Sequence, residues 1–172
     1  MERPRILVAG IGNVFLGDDA FGVEVAQRLM RCEWPSTVRV ADYGIRGYDL
    51  AYALLDDFEV VILVDATPRG GPPGTLYLVE PEVGEASAPA HAPSMLDAHG
   101  MDPVQVLRLV ETLGGRVRRL LVVGCEPRET SADQEMEMGL SDPVRAALDE
   151  AVSLIESVVE RILRGEPVTR AC

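Results

Sequence analysis

RILVAGIGNVFLGDDAFG, residues 5–22, is the stretch whose reading decides the fold. An apolar run from Ile6 to Ala9 stops at Gly10-Ile11-Gly12-Asn13, and a helical pattern begins at about Asp19. That order is strand, glycine loop, helix. Open α/β sheets are built from such units and carry their sites beyond the carboxyl ends of the strands. The glycines invite a dinucleotide fingerprint, but the third glycine that pattern needs falls on Phe15. Asp18 and Asp19 also oppose a pyrophosphate at the helix start, because carboxylates there repel the anion that this end of the helix dipole otherwise attracts. A cation suits the loop better. The plainer alternative is that one aspartate caps the helix, worth about 1 kcal/mol, which accounts for only one of the two.

Downstream, Phe21, Val25 and Leu29 keep helical spacing up to a break before Pro35, and Val38 to Ala41 reads as a second strand. Tyr48 to Asp57 has the pattern of a second helix. Val60 to Val64 is apolar at every position, as expected of a central strand buried on both faces of a parallel sheet. It ends at Asp65, a lone carboxylate followed by a loop, residues 66–74, with three prolines and three glycines. A turn-starting Asp that bonds its own backbone is the ordinary alternative there.

Thr75 to Val79 is a fourth strand, and the neighbouring Pro72, Pro73 and Pro81 suit an edge. Residues 82–98 lack a period and read as a surface loop. Asp102-Pro103 announces a third helix, capped by Asp102, running through Val106 and Val110 to Gly114. Leu120 to Val123 is a fifth strand, followed by Gly124-Cys125-Glu126-Pro127. The loop from Glu126 to Glu137 is acidic and reads as a solvated surface, or secondarily as a docking face for a basic partner. A last helix begins at Ser141-Asp142-Pro143 and keeps its apolar spacing for about five turns. Alternating strands and helices give a three-layer α/β/α sandwich around a mostly parallel sheet.

At 172 residues the chain fits one domain, residues 1–172, with a sizeable core. The net charge of −12 disfavours nucleic acid and anionic membranes, whose binding needs basic side chains. All sixteen basic residues are Arg, so Schiff-base chemistry and a P-loop lysine are excluded. Cys32, Cys125 and Cys172 form no C-x-x-C pair and read as structural thiols. No apolar run reaches the length of a membrane span, and Met1 leads into a strand without an apolar leader, so the expected location is cytoplasmic.

In a parallel sheet the ends of the first and third strands and the start of the third helix open on one edge. That gathers Asp18 or Asp19, Asp65 and His99, a ligand set suited to a borderline divalent metal. The second histidine, His91, lies in the irregular loop with no placed neighbour.

The combined pattern is Gly10-x-Gly12-Asn13, then Leu16-Gly17-Asp18-Asp19-x-Phe21-Gly22, an apolar strand ending at Asp65, His99-Gly100 before a helix, and Gly124-Cys125-Glu126-Pro127. It resembles the hydrogenase maturation endopeptidases over nearly the whole chain. The resemblance implies a five-stranded sheet in the order 2-1-3-5-4 with strand four antiparallel. It implies removal of a short C-terminal extension from the large-subunit precursor of a nickel-containing hydrogenase after nickel insertion. Carried over by motif position, Asp19, Asp65 and His99 become the catalytic and metal-contacting residues, the nickel being carried by the precursor, with no organic cofactor. Some members have Glu where this chain has Asp19, a difference of about one methylene in reach.

Three competitors stand beside this reading. A thiol protease would pair Cys125 with His99. A Rossmann-type nucleotide binder is opposed by Phe15 and the acidic loop. A non-catalytic nickel-sensing or chaperone module would bind the precursor without cutting it.

Overall fold

The computed structural model describes residues 4–81, 103–129 and 138–168. One sheet of five strands runs in the order β2-β1-β3-β5-β4. Its central members are β1 (Ile6–Ile11) and β3 (Val60–Ala66), flanked by β2 (Val38–Gly44) and β5 (Arg119–Cys125). These pair in parallel, whereas β4 (Leu76–Val79) runs antiparallel to β5 on the open edge. The edge position predicted from the flanking prolines is the one found, as is the strand order that the resemblance implied.

Alternation of side chains sorts the apolar strands onto two faces. Ile6, Val8, Ile62, Val64, Leu121 and Val123 pack against α1 (Phe21–Leu29) and α5 (Leu148–Leu163). Leu7, Ala9, Ile11, Val61, Leu63 and Leu120 face α2 (Gly47–Ala53) and α3 (Pro103–Thr112). Every residue of β1 is buried, which explains a strand with no polar alternation.

The glycines of the first loop serve close approach. A Cβ on Gly22 would lie 2.0 Å from the Val64 carbonyl oxygen and 2.3 Å from that of Ile11, so only glycine lets α1 rest on the ends of β1 and β3. Gly12 has φ +135° and its Cβ would meet the Asp19 carbonyl oxygen at 1.9 Å.

Several boundaries differ from the pattern-based ones. β2 and β5 extend past their apolar runs because the parallel register continues, pairing Ile11 with Gly44 and Asp65 with Gly124. Asp65 therefore lies inside β3. α2 stops at Ala53, short of Asp57: Leu54, Leu55 and Asp56 close the turn, and Asp56 and Asp57 would add negative charge to the helix's negative end. The last helix divides into α4 (Asp142–Ala146) and α5 at Ala147, whose N–H bonds the Val144 carbonyl. The Pro143 carbonyl that a continuous helix would use lies instead against Gly74, 2.6 Å from where a Cβ there would be. Asp102, the loop at 82–98, both histidines and residues 130–137 of the acidic loop lie outside the described residues. No helix among the described residues is long and apolar enough to cross a membrane.

Candidate active site

The site is built where β1 and β3 end. After Ile11 the chain turns through Gly12, whose N–H is held by the Gly44 carbonyl at 3.0 Å, and enters a 3₁₀ turn, Gly17–Ala20. The Asp19 carboxylate reaches back to accept the Asn13 N–H at 2.7 Å, and Asn13 Oδ1 accepts the Phe15 N–H at 3.0 Å. A closed loop results, with one carboxylate fixed on it. Burial pushes the Asp19 carboxyl up from its ordinary value, and the Asn13 N–H pulls against that shift.

Asp65 sits on β3 with the side-chain parity of Val61 and Leu63, which places it toward the α2 and α3 face. Burial raises its carboxyl well above the usual carboxylate range, the charge of Asp19 raises it further, and an N–H from Ala66 opposes both. The two aspartates that the sequence nominated are thus both poorly solvated, and the charge of Asp19 reaches the Asp65 carboxyl. Such a pair holds a proton between them or attracts a cation. His99, the third residue that the sequence nominated, lies outside the described residues. Among the described residues no group of three His, Cys, Asp or Glu side chains is arranged to hold a metal ion.

The capping expectation fails for both aspartates, since neither the 3₁₀ turn nor α1 has a side-chain cap. Asp18 does something the sequence did not disclose. Buried beside the catalytic candidate, it accepts hydrogen bonds from the Arg128 N–H at 2.8 Å, the Ser141 N–H at 2.7 Å and the Ser141 hydroxyl at 2.8 Å. Asp18 therefore ties the first loop to the segment after β5 and to the start of α4.

A second such residue is Glu126, predicted to be solvated and found 4% exposed. Its carboxylate accepts the Arg69 N–H at 2.9 Å, the Gly70 N–H at 3.1 Å and the Tyr77 hydroxyl at 2.6 Å. The Tyr77 hydroxyl, with the Arg69, Gly70 and Gly71 amides, holds this carboxyl below its ordinary value. The loop leaving Asp65 is thereby fastened to the end of β5, and the Arg69 guanidinium stacks over the Tyr77 ring at 5.3 Å.

Cys125 is fully buried, and its thiol is pushed up to about 12 by burial together with the nearby charges of Asp18 and Glu126. A thiolate nucleophile is unavailable there, which removes the chemical basis of the Cys125/His99 protease.

A sequence model of the hydrogenase maturation proteases matches residues 23–158. The hydrogenase 2 maturation protease of Escherichia coli K12 is 29% identical over 93% of this chain and 96% of its own length. The hydrogenase expression/formation protein HoxM of Azotobacter vinelandii is 32% identical over 94% of this chain and 75% of its own. The solved structure of the hydrogenase maturating endopeptidase HybD from Escherichia coli superposes with a TM-score of 0.74 at 25% identity, covering 91% of this chain and 93% of that one. The glycine-tight first loop and the paired aspartates therefore sit on a scaffold shared with solved peptidases, and the chain belongs to the hydrogenase maturation protease family.

Proposed function

We propose that this peptidase removes a short C-terminal extension from the large-subunit precursor of a nickel-containing hydrogenase after nickel has been inserted. The observation that carries the reading is that Asp19 and Asp65, both poorly solvated at the carboxyl edge of the sheet, lie near enough for the charge of Asp19 to act on the Asp65 carboxyl. Two carboxylates with little hydrogen bonding and raised proton affinity form a recess deficient in positive charge. A nickel ion arriving as cargo in the substrate would supply that charge, and His99, four residues before α3 in the sequence, is the third ligand that the family resemblance implies.

Peptide hydrolysis needs a group that takes a proton from water and one that gives a proton to the departing amine. Like charges in close quarters share a proton rather than both ionise, so the Asp19/Asp65 pair is suited to hold that proton at the scissile bond. The homologues named for hydrogenase maturation and the match to their family pattern support this substrate class.

Incubation with nickel-loaded and nickel-free precursor, followed by mass spectrometry of the C-terminus, tests the reading. Cleavage of the loaded form alone is expected, and Asp19→Asn, Asp65→Asn and His99→Ala should each abolish it. Near-normal processing by any two of these variants would remove the proposal. Binding without a change in mass would point to the non-catalytic module instead.

A further inference from the structure

Six of the nine exposed large apolar side chains among the described residues lie in two short segments: Val14 and Phe15 after β1, and Ile45, Tyr48, Tyr52 and Leu55 after β2. β1 and β2 are neighbours in the sheet, and the Gly12 to Gly44 hydrogen bond joins the two segments at their base. Both leave the same carboxyl edge that carries Asp19 and Asp65. Phe15 is 63% exposed, Tyr48 74% and Tyr52 62%; the two tyrosines stand at i and i+4 on α2, on one side of the helix.

These loops are held outward by their own bonding. The Phe15 N–H is bound to Asn13 Oδ1, and the Arg46 side chain donates to the carbonyl oxygens of Asp42 and Tyr43, so the backbone beneath each apolar group is fixed while the group itself stays in water. Aromatic groups presented in this way, contiguous with a reaction centre, are the composition of an interface core. The first loop also couples docking to chemistry, because the Asn13 that anchors Phe15 is the residue whose N–H holds Asp19.

We infer that Phe15, Ile45, Tyr48 and Tyr52 form the surface on which the folded body of the precursor docks, laying its C-terminal segment across Asp19 and Asp65. The inference rests on the function proposed above and names the means by which a folded protein, rather than a loose peptide, is selected. The occupant is the folded precursor, whose scissile segment has to reach the aspartates that this surface adjoins.

The test separates binding from turnover by using Asp65→Asn as the parent. The dissociation constant for nickel-loaded precursor is measured by biolayer interferometry, with circular dichroism and thermal unfolding confirming the fold of each variant. Phe15→Ala and Tyr48→Ser should each weaken binding about tenfold. Met30→Ala and Leu113→Ala, at exposed apolar residues elsewhere, should leave it unchanged. Binding should also survive added salt, since apolar contacts are not screened. Unaltered affinity in folded Phe15→Ala and Tyr48→Ser variants overturns the inference. So does a wild-type dimer in sedimentation velocity that Phe15→Ala dissociates, because a second copy then covers the surface. If the wild-type protein binds the precursor through these residues yet leaves it uncut, the docking surface stands and the peptidase reading for this substrate falls.

Discussion

Asp65→Asn should make the protein more stable while it stops the chemistry. In the folded chain the Asp65 carboxyl is raised well above 3.8 by burial, and further by the charge of Asp19, with one N–H from Ala66 in opposition. A group whose folded proton affinity exceeds its unfolded one favours folding fully below the unfolded value, and that advantage disappears as pH rises through the folded value. Above the unfolded value, folding of the wild-type chain therefore has either to bind a proton at Asp65 or to bury its charge, and both cost stability. Asn keeps the shape and removes the charge. Relief of a functional site of this kind commonly yields about 0.5–2 kcal/mol, which for a chain of this length corresponds to roughly 2–4 °C in Tm per kcal/mol. The assay is urea unfolding of wild type and variant from pH 3 to pH 8. The stability difference should be small at pH 3, where Asp65 is protonated in both states of the wild-type chain, and should grow above pH 4. A variant less stable than wild type at pH 7, or a difference independent of pH, would refute the electrostatic account of the site.

Four further outcomes follow from the geometry. Gly22→Ala places a methyl 2.0 Å from the Val64 carbonyl oxygen and 2.3 Å from that of Ile11; because backbone cannot yield as a side chain can, the loss should be about 3 kcal/mol or more, read as a fall in urea midpoint. Asp18→Ala removes the carboxylate that accepts from Arg128 and Ser141, and at about 1.5–3 kcal/mol for a hydrogen bond to a charged group, lessened where water can replace it, it should destabilise by about 2 kcal/mol or more in the same assay. Glu126→Gln should lower stability at neutral pH by a margin that closes as pH falls: the wild-type carboxyl is held below 4.5, so its contribution is present above that value and lost as pH drops through the folded one. Cys125→Ala should retain precursor processing by mass spectrometry, and native Cys125 should resist iodoacetamide until the protein unfolds.

The strands β1, β3 and β5 were legible because each is a run of apolar residues that only a two-sided sheet can bury, and β4 because proline marks an edge. Their ends were less so. Gly44, Asp65 and Gly124 belong to strands through backbone register with neighbours, which residue type does not record. The break at Ala147 was hidden for a similar reason, since it depends on a carbonyl at Pro143 packed against a loop far back in the chain. Asp19 and Asp65 stood out as carboxylates at strand ends, where α/β folds place their sites. Asp18 and Glu126 look the same on paper, but they bind backbone N–H groups 110, 123 and 57 residues away, and a peptide N–H is common to nearly every residue. Only folding distinguishes the two pairs of acids.

Adjacent aspartates in one tight turn hold opposite offices, the first bolted to Ser141 and the second turned to the cleft. The span from Gly12 to Asp18 is thus a spacer of fixed count. Losing a single residue within it would send the reactive acid to the bolt hole, and gaining one would present the bolt to the substrate. At Val14, Phe15 and Leu16 the fold therefore tolerates changes of letter better than changes of length.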